Sequence, residues 1–399
     1  MERKSVDVAV VGGGPAGLTA AIALASAGVK TALISKSPPA DNRTTALLSS
    51  SVAALDALGV WPLCATQAAP LTAIRIIDDT SRLLRAPEVM FEAPEIGLDA
   101  FGHNIDNRHL IAALDRRAAE LTALQRIAAA ATEIRTGETE VAIRLDDGSL
   151  LGARLVLGAD GRKSLCRVAA GIEVRRREYP QVALTLNLGH TRPHNGISTE
   201  FHTETGPFTL VPLPGLCSSL VCVLDPDGAE EIGSLDAPAL SIEIERRAHS
   251  ILGKMSAEGR RGLFPLAVET AESFAWDRIA LIGEAAHVIP PIGAQGLNLG
   301  LRDAATIAEL VVEAQQDGAD VGSSELLARY DRMRRTDVTN RAVAVDVLNR
   351  SLLSDFLPVQ GARGFGLYLL DRIAPLRRAV MREGVEPAAQ PRLMRGEAL

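Results

Sequence analysis

An α/β fold is expected, with a parallel sheet that opens on a strand–turn–helix unit, an antiparallel sheet interleaved with it, and helices at the C-terminal end. Three observations predict it. Val6–Val11 is an unbroken apolar run bounded by glycines and leads at once into helix-forming sequence, as buried strands of parallel sheets do. Between Tyr179 and Leu224 several β-prone segments are separated by the turn pairs Thr205–Gly206 and Pro214–Gly215, the pattern of an antiparallel sheet. Beyond a last apolar strand at Asp277–Ile282, helix formers dominate to the end of the chain.

Taken in order, the first strand turns through Gly12, Gly13 and Gly14 into a helix over Ala16–Ala27, which runs without a breaker to Gly28. Gly12, Gly14 and Gly17 have the G-x-G-x-x-G spacing. The first permits the tight turn, the second lets phosphate oxygens approach the backbone, and the third allows close helix–strand packing. The helix start at Ala16, after Pro15, which has no N–H of its own, presents free N–H groups and the positive end of a dipole, so this unit is expected to bind the pyrophosphate of a dinucleotide. The next strand, Lys30–Ile34, should end in an acid that accepts from the adenosine ribose. Ser35 and Lys36 stand there instead. Ser35 either accepts a hydrogen bond through its hydroxyl without contributing charge or is a plain strand-end residue. Arg43, in the irregular loop that follows, either meets the cofactor or is a solvated loop arginine.

A helix over Ser51–Leu58 leads to strands at Ala73–Asp78 and Arg82–Ala86, the first excursion into the second sheet. A helix is predicted over Asn107–Leu124, with Leu110, Leu114 and Leu121 as its apolar stripe. Strands at Glu140–Leu145 and Arg154–Leu157 flank the turn Asp146–Gly148. The second of them delivers GADGRKSLCR, in which Asp160 and Gly161 are placed to meet ribose or ribityl hydroxyls or to serve only as a turn. Ser164 and Arg167 add a phosphate-facing pair. The third glycine segment, Gly283–Ala304, runs from a strand end at Gly283–Glu284 through Pro290 and Pro291 to Gly293–Gly296, with a helix expected from near Leu297. Three such segments in this order imply one large redox cofactor. The N–H groups of Ala294 to Asn298 at that helix start suit the negative charge on the N1–C2 carbonyl side of a reduced flavin. The prolines lack N–H groups and fix the loop path. His287, between alanines and an apolar stretch, reads as a structural histidine.

With 399 residues and 47% hydrophobic content, the chain is long enough for two closely packed domains. A net charge of −7 without a long basic block argues against nucleic acid. Cys64, Cys166, Cys217 and Cys222 have no metal-ligand spacing, no metal is expected, and reduced thiols in a cytoplasmic setting are the expectation. No apolar stretch is long enough to cross a bilayer.

These segments resemble the FAD fingerprints of the single-component flavoprotein monooxygenases that hydroxylate aromatic rings, and in detail their ubiquinone-biosynthesis branch. DNRTTAL (Asp41–Leu47), FGHNIDNRHLIAAL (Phe101–Leu114), ADGRKSLCR, GPFTLVPLP (Gly206–Pro214), FPL (Phe264–Leu266), GAQGLNLGLRDA (Gly293–Ala304) and PRLMRG (Pro391–Gly396) fall in that family's order over essentially the whole chain. The resemblance implies a Rossmann-like FAD-binding domain formed by 1–72, 101–175 and 272–345, a substrate domain formed by 73–100 and 176–271, and a helical region over 346–399. It implies that Gly12, Gly14 and Gly17 hold the FAD pyrophosphate, that Arg43 and Asn107 lie against the cofactor, and that Asp160 and Gly161 serve FAD and the nicotinamide cofactor together. The family usually has aspartate at position 284. Glutamate there, with Ser35, alters two usual acidic FAD contacts.

The implied reaction is hydroxylation of a phenol, most simply a polyprenyl intermediate of ubiquinone biosynthesis, using dioxygen and NADH or NADPH through a flavin C4a-hydroperoxide. The alternatives are a hydroxylase of a small soluble aromatic and a non-catalytic assembly subunit of a quinone-biosynthesis complex. Pro291 is expected at the reaction centre. His194 is a candidate base, or else a surface-turn histidine. The arginine-studded stretch Leu348–Val380, with Leu353, Phe356, Leu357, Phe365, Leu367 and Tyr368, either lies peripherally on the inner face of an anionic membrane or caps the FAD domain.

Overall fold

The computed structural model describes residues 4–36, 41, 43–82, 85–291, 293–353, 357–387 and 389–399. The fold is α/β. Its parallel sheet has the strand order Ile279–Leu281, Leu150–Gly158, Lys4–Val11, Thr31–Ile34, Leu124–Ile127. The first strand is central, and its Val8, Ala9 and Val10 are fully buried. Continuous apolar sequence is what a strand covered on both faces requires. The helix Pro15–Ser26 follows directly.

Two expectations are corrected at this level. The helix from Asn107 ends at Glu120, and Leu124–Ile127, expected as its last turn, is instead the outer parallel strand beside Thr31–Ile34. A four-residue strand carries too little pattern to be told from a helix end until a partner strand is present. The strand expected at Arg82–Ala86 lies at Val89–Glu92, antiparallel to Ala73–Asp78; among the described residues of that stretch none is in a strand. Pro87 cannot donate to a ladder, so pairing begins after it.

The second sheet is eight-stranded. Its central strands are Val174–His190, Cys217–Leu224, Gly206–Leu213 and Ile197–Thr203, with the long Met255–Ala271 strand beside Val174–His190. One face is closed: Leu184, Leu186, Phe201, Phe208, Leu210 and Leu220 pack under Ile232, Leu240 and Ile244 of the helices Pro226–Ser234 and Ala237–Arg247. The opposite face is different. The register places Ile76, Glu200, Thr209, Val221, Thr185 and Gly262 in one row across it. Glu200, Thr209, Val221 and Thr185 are all only partly buried although they sit in mid-sheet. This face looks toward the parallel-sheet side, to which it is tied by Asn187 Nδ2 donating to Asp106 (3.2 Å) and Asn104 Nδ2 donating to Ser219 Oγ (3.0 Å). Between these ties the face borders an accessible cleft.

The helix Gln295–Gln316 packs on Pro15–Ser26, and the helices Ser324–Leu353, Leu357–Arg372 and Ala374–Val385 follow, with a last short turn at Leu393–Arg395 against the Ser49–Ala57 helix. Met381, Val385, Leu367 and Leu370 cluster with Val89, Phe91, Ile74 and Ile76, so the last helices cover the outer edge of the antiparallel sheet. Of the residues singled out in this region, Phe356 lies outside the described residues, as do the side chains of Leu348, Leu357 and Arg363.

Candidate active site

The three glycine segments meet at the C-terminal ends of adjacent strands. Val11 pairs with Gly158, Gly158 pairs with Leu281, and the amides of Ala159 and Ile282 bond Val11 O (2.8 Å) and Gly158 O (2.9 Å). This is the point where strand order reverses in an open parallel sheet, the usual position of a ligand crevice. Gly12 has φ +117°, and a Cβ there would overlap the Ala159 carbonyl, so only glycine lets the two turns touch. A Cβ on Gly17 would overlap the Gly12 carbonyl. Ala16 lies under both Gly283 and Gly300, which brings the third segment onto the first helix.

Four other glycines of these segments face nothing. A Cβ added to Gly14, Gly161, Gly293 or Gly296 would meet no atom of the described residues within 4 Å. Neither the Pro15–Ser26 helix nor the Gln295–Gln316 helix has a side-chain N-cap, so first-turn N–H groups of both are without side-chain partners. Ala294 precedes the second helix at φ +54°, a left-handed conformation that costs an alanine roughly 1–2 kcal/mol. Open backbone and uncapped helix starts around one cleft fit a long anionic cofactor with a planar ring.

The side chains divide into those that face the cleft and those that build it. Ser35 Oγ donates to Lys36 O (2.9 Å), and a Cβ on Gly13 would overlap it, so Ser35 abuts the first glycine turn. Lys36 is drawn away into an ion pair with Asp146. Arg43 forms a bidentate pair with Asp41 (2.9 and 2.8 Å), and Asn107 Nδ2 donates to the same carboxylate (2.9 Å). Burial raises the Asp41 pKa, but the hydrogen bonds of Arg43 and Asn107 outweigh it and hold the carboxyl below its ordinary value. The hydrogen bond and charge of Asp41, with the charge of Glu284, outweigh burial and hold Arg43 above its own. The Arg43 guanidinium lies 6.0 Å from the centre of the Phe264 ring on the antiparallel sheet, spanning the cleft. Glu284 is exposed at the mouth, Pro290 is buried and Pro291 exposed; Ile292 between Pro291 and Gly293 lies outside the described residues.

Other expected residues are turned inward. Asp160 accepts from Ser164 Oγ (2.5 Å) and from the Cys166 amide (3.1 Å), so its carboxylate braces a turn. The Ser164–Arg167 pair does not face outward. Ser164 caps the Leu165–Ala169 helix, and Arg167 donates to Arg162 O and Ala285 O (both 2.8 Å), clamping the second glycine segment to the third. Asn298 donates to Ala46 O (2.9 Å) and Ala294 O (2.6 Å) and accepts from the Leu48 amide (2.9 Å), which leaves its side chain a positioning role beside Leu297. His194 accepts from the Gly196 amide at Nδ1 (3.0 Å) and donates to Leu213 O from Nε2 (2.9 Å). Both ring nitrogens are thus engaged by backbone groups, which leaves neither turned toward the glycine segments as a base.

Sequence reading passed over the residues that hold the third segment. Asp303, fully buried, takes the Gly283 amide (2.9 Å), His287 Nε2 (2.7 Å) and Arg334 Nε (2.6 Å). Arg334 continues to Asp337, which also binds Arg302 and Arg341. His287 is buried on a partner 16 residues away, and its Nδ1 has none among the described residues. Glu200 and His202 were also missed. The alternation in Ile197–Thr203 places both on one face of a strand, but nothing local says which face looks into a cleft.

Residues 5–345 match the FAD binding domain family. The chain is 37% identical to the ubiquinone hydroxylase UbiL of Rhodospirillum rubrum, over 99% of this chain and 94% of that protein. It is 28% identical to the 3-demethoxyubiquinol 3-hydroxylase of Escherichia coli, over 96% and 99% of the two chains. In fold it is similar to the p-nitrophenol 4-monooxygenase PnpA of Pseudomonas putida, with a TM-score of 0.78 at 20% identity, over 97% of this chain and 100% of that one.

Proposed function

The chain belongs to the FAD binding domain family, and from that premise we propose that it is an FAD- and NAD(P)H-dependent monooxygenase that hydroxylates a phenolic intermediate of ubiquinone biosynthesis. The observation that carries this reading is the cleft itself, with three glycine segments on one side and a partly exposed polar sheet face on the other. The relatives named above, a ubiquinone hydroxylase and a demethoxyubiquinol hydroxylase, support the substrate class.

Gly12, Gly14, Pro15, Ala16 and Gly17 would hold the FAD pyrophosphate at the first helix start, and Ser35 the adenosine ribose. Arg43 and Asn107, oriented by Asp41, would lie along the ring system. Gly161, Gly283, Glu284, Pro290, Gly293, Ala294, Gly296 and Leu297 would border the ribityl chain and ring, with Asp160 and Asn298 fixing their loops. Bound FAD supplies the oxygen-activating chemistry, with electrons from a nicotinamide cofactor. The chain's own part is to bind, to place N–H groups of the Gln295–Gln316 helix against the electron-rich edge, and to exclude water by closing the antiparallel sheet over the ring.

A second reading concerns location. Among the described residues no helix is long and apolar enough to cross a membrane. Phe365 (61% exposed), Tyr368, Ile373, Leu376 and Val380 are nevertheless exposed on the last two helices, with Arg372 and Arg378 beside them. Arg377, also expected at this surface, is withdrawn onto Glu95 and the Phe91 ring. Such a surface suits an anionic bilayer, from which a prenylated phenol would enter.

The test is turnover. The purified protein should be yellow and, given NAD(P)H, dioxygen and a prenylated phenol, should yield a product heavier by one oxygen atom. Turnover only of unprenylated phenols would favour a soluble aromatic substrate, whereas a colourless protein without substrate-stimulated NAD(P)H oxidation would favour the assembly subunit. Vesicles containing phosphatidylglycerol should retain the protein at low salt and release it at high salt; no retention would remove the membrane reading.

A further inference from the structure

The polar groups of the cleft-facing sheet surface fall into two sets. Asn187 and Ser219 are engaged by Asp106 and Asn104 across the cleft. Glu200, His202 and Thr209 bond only one another through their side chains among the described residues: His202 Nε2 donates to Glu200 Oε1 (2.8 Å), and Thr209 Oγ1 donates to Oε2 (3.2 Å). Their order in depth is informative. The Glu200 side chain keeps 18% of its exposure in mid-sheet, whereas that of His202 keeps 3%. The carboxylate is therefore the more accessible of the two on this face, and the imidazole lies behind it. His202 Nδ1 is buried without a partner among the described residues.

A carboxylate that only braced the sheet would have no need of access from this face. Resting on the monooxygenase reading above, we propose that Glu200, backed by His202, accepts the proton of the substrate's ring hydroxyl. The substrate O–H bond breaks, the proton passes to Glu200 Oε2, and the electron pair stays on the ring oxygen, raising electron density at the carbon to be hydroxylated. When the ring becomes aromatic again, the displaced ring hydrogen leaves as a proton and the hydroxyl is restored from the pair.

The electrostatics agree with the geometry. Burial raises the Glu200 pKa, but the His202 hydrogen bond and charge and the Thr209 hydrogen bond bring it below the ordinary value, so the group is ionised at neutral pH. Charged groups on the neighbouring segments have partners of their own. Asp78, beside His202 on the adjacent strand, accepts from Thr80 and from the Ala86 amide. Glu204 accepts from Ser81, and Arg82 donates to Leu352 O.

The experiment compares the FAD-loaded wild type with Glu200→Gln and His202→Gln, measuring the rate of hydroxylated product formation from pH 6 upward in roughly unit steps. Visible absorbance of bound FAD serves as the check of folding. Loss of a general base costs about 10²–10⁴ in rate. Glu200→Gln should lose at least about tenfold near neutral pH and recover about tenfold per pH unit as the free phenol ionises, while the wild type stays nearly flat. His202→Gln, which keeps an N–H toward Glu200, should lose less and recover in the same direction. A Glu200→Gln enzyme with wild-type rate and profile would overturn the proposal, and so would a loss uniform in pH, which marks a merely structural role. Failure of the wild type to hydroxylate any phenol would remove the monooxygenase reading, and this inference with it.

Discussion

At Gly12 and Gly14 one residue type answers two different demands. Gly12 stands at φ +117° against the Ala159 carbonyl, so a side chain is excluded by the protein's own backbone. Gly14 has φ −73° and open space where a Cβ would go, so a side chain is excluded only by what binds there. The two alanine variants should therefore separate. Gly12→Ala should destabilise the apoprotein by at least about 1–3 kcal/mol, the cost of a strained backbone with a clash. Gly14→Ala should change apoprotein stability by no more than roughly 0.5 kcal/mol yet weaken FAD binding at least tenfold. Denaturant unfolding of both apoproteins, with FAD titration, checks this pair, and equal stability losses would contradict it.

Between elements, the decisive contact is Asp303 on the Gln295–Gln316 helix, which joins the strand end at Gly283, the loop at His287 and Arg334 of the Ser324–Leu353 helix. Removing one partner of a buried charge pair leaves the other uncompensated, at a cost of about 3–5 kcal/mol. Asp303→Asn should show a loss of that order at neutral pH. Burial raises the Asp303 pKa, but the charges and hydrogen bonds of His287 and Arg334 bring it below its ordinary 3.8. A group depressed on folding contributes fully above its unfolded value and loses that contribution as pH falls through the folded one. The gap in urea midpoint between wild type and Asp303→Asn should accordingly be wide at pH 7 and narrow only below about pH 4. A gap constant down to pH 2 would show that the charge of Asp303 is not what stabilises the junction.

For the molecule as a whole, the cleft lies between two sheets whose facing surfaces are incompletely packed, so the cofactor is expected to act as part of the core. A ligand at a hundredfold its Kd stabilises the folded state by about 2.7 kcal/mol. Stripping FAD should lower the thermal midpoint and increase binding of a hydrophobic dye, and adding FAD back should reverse both. Thermal scans with and without FAD check this, and a midpoint indifferent to FAD would mean that the cleft is not its site.

Legibility in the sequence followed the range of the forces involved. The first strand, its glycine turn and its helix are local, and Val6–Gly17 displays them without a partner. The hairpin around Asp146–Gly148 was equally readable. The outer strand Leu124–Ile127 was not, because only pairing with Thr31–Ile34 distinguishes it from a helix end. Asp160 and Asn298 stood out as polar residues in glycine segments, but their side chains turned out to brace loops.

The sequence by itself determined that this chain is an α/β protein with three glycine turns suited to one large cofactor, since strand periodicity, helix starts and glycine spacing depend on neighbouring residues alone. Tertiary structure decided which polar side chains face the cleft. Helices Pro226–Ser234 and Ala237–Arg247 close one side of the antiparallel sheet, and Glu200 and His202 are thereby left on the other. Alternation along a strand defines two faces, but only packing against the rest of the molecule makes one of them an interior and the other a site.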